Sequence, residues 1–221
     1  MTNMAELDHD TTPTRSARKA VTHRALLDAA LSLVGQGRSF SGIALREIAR
    51  QAGIVPNAFY RHFSNTDELG LELVEEVGIT LRRLLREARH VERAQGDILR
   101  RSVQVYQNYV KANRLLFQFV SSERSGGSRT LRLAIRNDVT HFTNEMAQDF
   151  RALRLYKDLP TPRLQMVCGL IVMTMLAAAT DILDLPPDQP LLEQEMGDNF
   201  VRQLKVILLG AQQWREHDAQ A

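Results

Sequence analysis

Residues 43 to 63, Ile-Ala-Leu-Arg-Glu-Ile-Ala-Arg-Gln-Ala-Gly-Ile-Val-Pro-Asn-Ala-Phe-Tyr-Arg-His-Phe, constrain what this chain can fold into more than any other stretch. Leu45, Ile48, Ala49 and Ala52 recur at i, i+3, i+4, i+7, which gives one short helix a single apolar face and leaves Arg46, Glu47, Arg50 and Gln51 outside. Gly53 supplies the left-handed or close-packed position that stops this helix, and Pro56 is pre-organised for the first turn of the next. In that second helix Phe59 and Phe63 share a face at i, i+4, so Asn57, Ala58, Tyr60, Arg61 and His62 surround the remaining surface. Asn can pair bidentately with adenine, a small Ala admits a thymine methyl, and Tyr, Arg and His donate to phosphate oxygens. Two short helices meeting across a tight turn therefore predict a reader of double-stranded DNA. The alternative is an ordinary helical hairpin with a polar outer face.

Charge supports the first reading. The net charge of +2 hides an asymmetry: residues 14 to 62 hold eight Lys or Arg against two acids, Asp28 and Glu47, while the chain from 63 onward is close to balanced. A positive field confined to the two-helix segment points to a polyanion. Six histidines at 9, 23, 62, 90, 141 and 217 show no His-Glu-x-x-His spacing or Cys/His set, and there is no phosphate-cradling Gly loop. No enzyme, metal or cofactor is expected, and Glu123 and His141 read as solvated or satisfied in the core. Cys168 has no second cysteine to pair with and reads as a small buried hydrophobe. With no apolar leader at the N-terminus, and a longest apolar run of 14 residues from Met166 to Ala179, the expectation is a soluble cytoplasmic protein with no membrane partner.

The periodicity predicts an all-α chain of about nine helices. Residues 1–13 read as a polar tail, 14–65 as a three-helix DNA-binding domain and 66–221 as a larger ligand-binding and dimerisation domain. Helix one is expected over Arg15 to Gly35. A long helix capped at Thr66 follows the two short ones to about Arg93, with Leu69, Leu73, Val77, Leu81 and Leu84 along one face. Further helices begin at Gly96-Asp97, at Asn113 (through Phe119), at Ser128 (to Leu155) and at Pro162 (to Leu185). Pro186, Pro187 and Pro190 precede a last helix to about Glu216.

These features resemble the TetR family of bacterial transcriptional regulators, through Leu45-Arg46-Glu47-Ile48-Ala49, Ala52-Gly53-Ile54, Phe59-Tyr60-Arg61-His62-Phe63 and Asp67-Glu68-Leu69. Within the family, Pro56, the Asp67-Glu68-Leu69-Gly70-Leu71 run and Glu123-Arg124-Ser125-Gly126 are similar to the FabR and DesT type. Those repressors control unsaturated fatty acid synthesis and sense long-chain acyl thioesters. The resemblance implies a recognition helix over Pro56 to Phe63, with Tyr60 and His62 where family members grip phosphate. Three positions depart from the pattern: Ala44 and Val55 stand where polar caps are usual, and Thr66 where a phosphate-contacting Lys is common. Each lost contact is worth roughly 0.5–2 kcal/mol by analogy with capping. Arg46 and a basic arm of Arg15, Arg18 and Lys19 offer compensation on the adjacent backbone or minor groove.

One recognition helix reads too few bases, so a homodimer on a near-palindromic operator is expected. Phe200, Leu204, Ile207, Leu208, Ala211 and Trp214 form an apolar stripe on the last helix, and Gly169 with Ala178 lets the preceding helix pack closely. Both can serve a dimer or the intramolecular core. For a hydrophobic effector such as a long-chain acyl-CoA, Phe117, Phe119, Val120, Phe142, Met146, Met173 and Met175 are candidate lining. Arg124, Arg129 and Arg132 are candidates for its phosphates, with a solvated basic face as the rival. Two other functions remain open: a regulator of an efflux or catabolic operon sensing another hydrophobic molecule, and a helical interaction protein without DNA.

Overall fold

Thr14 opens α1 (Arg15–Gly35), its hydroxyl accepting the Ala17 N–H at 3.2 Å. The helix buries Leu26, Leu27, Ala30, Leu31 and Val34, and the chain leaves it through Gly37 at φ +82°. A single 3₁₀ turn at Phe40–Gly42, which periodicity could not reveal, leads into α2 (Leu45–Gln51). Ala44 caps α2 with no side-chain hydrogen bond. Gly53 at φ +72° reverses the chain, and Val55, also without a capping side chain, precedes α3 (Pro56–Phe59). The helical course continues beyond α3: the His62 and Phe63 N–H groups both donate to the Phe59 carbonyl, at 2.8 and 3.1 Å. The expected Pro56 to Phe63 helix is therefore a four-residue α-helix and a following turn.

The structure, a computed structural model, describes residues 14–91 and 98–218, and among these it shows nine α-helices and no strand. The expected tail at 1–13 and the helix start at Gly96-Asp97 lie outside the described residues. α4 (Thr66–Val91) is capped one residue earlier than expected: the Asn65 amide oxygen accepts the Glu68 N–H at 2.9 Å, and the Glu68 carboxylate reaches back to the Ser64 N–H at 2.5 Å. α5 (Ile98–Ala112) and α6 (Arg114–Glu123) follow, α6 running one turn past Phe119. α7 (Arg129–Ala152) follows its Ser128 cap and stops short of Leu155, because the chain turns through Arg154 and Tyr156 in left-handed conformations, φ +57° and +52°. The Arg151 guanidinium holds that turn by donating to the carbonyls of Tyr156 (3.0 Å), Lys157 (2.5 Å) and Leu159.

α8 (Thr161–Asp184) is long and apolar enough to cross a bilayer by length and composition, well beyond the run visible in the sequence. It nonetheless packs against α5, α6, α7 and α9 (Pro190–Asp218), and buries Leu164, Val167, Cys168, Ile171 and Ile182. That is the environment of a core helix.

α4 ties the two regions together. Leu69 and Leu73 on its first turns are fully buried, while further along the rod Arg82 pairs with Asp138, and Arg86 with Glu145 (3.1 Å) and Asp149 (3.6 Å), all on α7. Gly78 permits this approach, since any Cβ there would collide with the Asp138 carboxylate. In the small head, Ile48 and Phe59 are completely inaccessible and Phe63 nearly so, with the Phe59 and Phe63 rings 5.7 Å apart. Phe59→Ala is expected to cost about 3–5 kcal/mol in urea denaturation of the head. Tyr60→Ala, one residue on but 61% exposed, is expected to stay within about 0.5 kcal/mol of the parent.

Candidate DNA-reading and effector sites

Packing Phe59 inward dictates what the head shows to solvent. Pro56, Asn57, Tyr60 and Arg61 are exposed on and just after α3; Arg46 on α2 and Arg15, Arg18 and Lys19 at the start of α1 are exposed as well. Ala58 and Thr66 are half-buried. His62 differs from the phosphate-gripping expectation. It is half-buried beside α1, its ring 5.7 Å from that of His23, and its Nδ1 is covered with no hydrogen-bond partner among the described residues. His23 in turn stacks on Phe63 at 4.6 Å, and its Nε2 meets the Glu72 carboxylate at 2.7 Å. Burial holds the His62 pKa below the ordinary imidazole value, and the nearby charges of His23, Lys19 and Arg61 push the same way.

The body contains a cavity of about 190 Å³. Its wall is built from Leu85 of α4, Leu99, Ser102, Val103 and Tyr106 of α5, Met146 and Phe150 of α7, Leu155 and Tyr156 of the following turn, Ile171 and Met175 of α8, and Phe200, Leu204 and Leu208 of α9. Two of its three hydroxyls are occupied: Tyr106 donates to the Met175 carbonyl at 2.6 Å and Tyr156 to the Leu208 carbonyl at 2.9 Å. Burial keeps the Tyr106 phenol protonated by raising its pKa. The Ser102 hydroxyl has no partner among the described residues.

The expected ligand set is only partly assembled there. Met146 and Met175 line the cavity. Phe117, Phe119, Val120 and Phe142 are buried elsewhere in the core, and Met173 is 43% exposed on the outer face of α8, its sulfur 3.6 Å from the Arg124 guanidinium. Arg132 donates to the Gly126 and Gly127 carbonyls at 2.5 and 3.0 Å, so it braces a loop. Arg129 opens α7 whereas Met146 lies towards its far end; at 1.5 Å per residue the two are roughly 25 Å apart. Period alone identified apolar residues but gave no depth along a helix, and it missed Tyr106, Phe150 and Ser102.

Of the residues offered for a dimer face, most are taken by the chain's own core. Phe200, Leu204 and Ala211 are each 3% exposed, with Ile207 and Leu208 half-buried, so the strongest apolar stripe of α9 faces its own chain. Ala178 is buried and Gly169 half-buried. The apolar side chains left outside include Met166, Leu170 and Met173 on α8 and Leu191, Leu192, Val206 and Leu209 on α9; Trp214 is partly exposed beneath the Arg163 guanidinium, 4.8 Å from its ring. α9 carries apolar residues on two faces, and the more continuous one was taken by the core.

A short helix on a basic head, joined by one helix to a helical body with an apolar cavity, is the arrangement of a helix-turn-helix regulator. Comparison with known proteins agrees. Residues 26–73 match the model of the bacterial regulatory proteins of the TetR family, and residues 95–204 match that of the tetracycline-repressor-like C-terminal domain. The chain belongs to the TetR family of transcriptional regulators, which are not enzymes, which bind operator DNA as dimers and which respond to small-molecule effectors.

Among solved structures, a TetR-family regulator from Syntrophomonas wolfei shares 13% identity over 86% of this chain and 96% of its own, with a TM-score of 0.70. The fatty acid degradation regulator FadR of Bacillus halodurans shares 15% over 85% and 94%, with a TM-score of 0.63. SmeT, in a complex with triclosan, shares 19% over 86% and 90%, with a TM-score of 0.60. At these identities the likeness is one of fold.

The depressed His62 pKa carries a sign. The unfolded chain takes up the imidazole proton first, so the His62 contribution to head stability is present above about pH 6.5 and is lost as pH falls below it. The melting-temperature difference between the wild type and His62→Gln, measured against pH, is expected to shrink over that interval.

Proposed function

We propose that the chain is a cytoplasmic transcriptional repressor whose two heads, in a homodimer, hold a near-palindromic operator, and whose occupancy is set by a compact apolar effector in the cavity behind them. Asn57, Ala58 and Tyr60 face the bases and adjacent phosphates, with Arg15, Arg18, Lys19, Arg46 and Arg61 on the backbone. The observation that carries the effector reading is the cavity: apolar walls, one unpartnered hydroxyl at Ser102 and a volume of about 190 Å³. At about 30 Å³ per water-sized group that is room for roughly six such groups, close to the ~150 Å³ of an apolar cavity that takes benzene. An effector of one-ring size with a single polar group opposite Ser102 satisfies walls and hydroxyl together.

A second reading is a long-chain acyl thioester effector, with genes of unsaturated fatty acid synthesis as targets. It draws on the Glu123-Arg124-Ser125-Gly126 resemblance, the apolar lining and the FadR neighbour. It leaves Arg129 far from the chain it is meant to anchor.

The test begins with full-length protein selecting its operator from random duplex DNA, followed by anisotropy titrations with 4-ethylphenol, ethylbenzene, palmitoyl-CoA and palmitoleoyl-CoA. The expected result is an operator affinity changed at least five-fold by 4-ethylphenol and little by either thioester. A response confined to the thioesters establishes the second reading. Failure to select any sequence removes the regulator reading itself. On the selected operator, Tyr60→Ala is expected to weaken binding at least ten-fold, about 1.4 kcal/mol or more. Ser102→Ala is expected to weaken 4-ethylphenol binding about ten-fold in calorimetry, the worth of one buried hydrogen bond, and to leave ethylbenzene unchanged.

A further inference from the structure

Glu123, the last residue of α6, is completely buried where head and body meet. The head reaches it through the 3₁₀ turn between α1 and α2. Within that turn Gly42 donates to Ser39 and Ile43 to Phe40, which leaves the Phe40 N–H without a local acceptor; Glu123 Oε1 accepts it at 3.2 Å. The Phe40 side chain is wedged in the same joint. Its ring stands edge-on to Phe119 of α6 at 5.0 Å, and a Cβ at Gly70 of α4 would lie 2.9 Å from it.

The other carboxylate oxygen, Oε2, makes no hydrogen bond among the described residues and is roofed by Gly126, where any Cβ would collide with it. Next to it, a Cβ at Gly127 would lie 2.7 Å from the Ser41 hydroxyl. Two glycines follow Glu123 closely because the carboxylate and the head occupy the space their side chains would need. The Ser128 hydroxyl donates to Asp67 at 2.9 Å, tying the start of α7 to the start of α4 beside this joint.

α6 also touches the cavity wall. Phe117, under two turns before Glu123, packs edge-on against Tyr106 at 6.1 Å, and Tyr106 lines the cavity and holds the Met175 carbonyl. We propose that Glu123 is the positioning residue by which the body sets the attitude of the DNA-reading head, with its carboxylate latched to the Phe40 N–H under a Gly126-Gly127 roof. The reason is an asymmetry of hydrogen bonding. A buried carboxylate and a buried N–H both incur their full desolvation penalty when separated, so α6 and the 3₁₀ turn move as one body. Burial, joined by the neighbouring Asp67 charge, raises the carboxyl pKa; the Phe40 N–H, Arg132 and the Ser39 hydroxyl beside the same turn oppose this. The latch rests on the head being the DNA reader and on no particular effector.

The test uses Glu123→Ala, Glu123→Gln, Gly126→Ala and the Glu123→Ala/Gly126→Ala double variant of the full chain. Two readouts are compared: affinity for the operator selected by the wild type, and hydrogen exchange of the Phe40 amide in the free protein. Glu123→Ala is expected to lose at least ten-fold in operator affinity, with the salt slope unchanged because the phosphate contacts remain, and to expose the Phe40 amide. Glu123→Gln keeps an acceptor carbonyl and is expected to bind within three-fold of the parent. Gly126→Ala displaces an intact carboxylate and is expected to resemble Glu123→Ala, with the double variant no worse than either. Wild-type affinity and Phe40 protection in Glu123→Ala would overturn the latch, as would effects of the two substitutions that simply add. If no operator is selected, the DNA-reading assignment fails, and Phe40 exchange alone still decides whether the latch exists.

Discussion

Four residues of α-helix cannot hold themselves together in water, because nucleating a helical turn costs more than so few hydrogen bonds return. α3 exists because Phe59 is locked under it and Phe63 closes the turn behind it, stacked on His23 of α1. The exposed set of Asn57, Tyr60 and Arg61 is thus positioned by a buried aromatic pair. α2 is in the same position with Ile48 and Ala49, its Arg38–Glu47 ion pair at 2.8 Å lying outside that core. The reading surface is rigid to the degree that the head keeps its packing, and the head borrows that packing from α4.

α4 is consequently one rod with two duties. Leu69 and Leu73 complete the head core; Leu85 forms part of the cavity wall. Between them Arg82 and Arg86 meet carboxylates of α7, and Gly78 lets the helices close. Part-buried pairs of this kind add less to net stability than to fixing which residues face one another, since desolvation offsets most of their attraction. Any shift of α7 that widens the cavity must take α4 along or break those pairs, and α4 carries the head. α4 is thus placed to couple head and body, beside the contact that α6 makes with the head through Glu123 and Phe40.

The sequence was legible where burial and period coincide. Ile48, Phe59, Leu69 and Leu73 recur at helical spacing and face one core, so the head and the start of α4 could be read residue by residue. The expected boundary at residues 65 and 66 falls at the start of α4, whose Leu69 and Leu73 are fully buried. Legibility failed where a helix is apolar on more than one side. On α9, Phe200 and Leu204 compete with Val206 and Leu209, and nothing in the spacing says which pair meets a neighbour in the same chain. It failed again for single polar residues whose meaning depends on distant partners: Glu123 and Phe40 are 83 positions apart, and Tyr106 and Met175 are 69. Left-handed Arg154 and Tyr156 were invisible because neither residue type announces a turn.

α9 shows why effector and dimer are difficult to separate in such a body. Phe200, Leu204 and Leu208 form one side of the cavity, while Val206 and Leu209 on the opposite side of the same helix are exposed and apolar. α8 repeats the arrangement, with Ile171 and Met175 inward and Met166, Leu170 and Met173 outward. In the proposed dimer, a four-helix pairing through these outward faces would bury them, the apolar area removed from water offsetting the rotamer entropy that Met and Leu side chains lose. It also fixes the outer boundary of the cavity wall. In that proposed dimer, a ligand pressing on Leu204 or Met175 would act on helices pinned from behind, and its work would be directed towards the opposite side of the cavity. That side is formed by α4, α5 and α7, and α4 alone among these continues into the head.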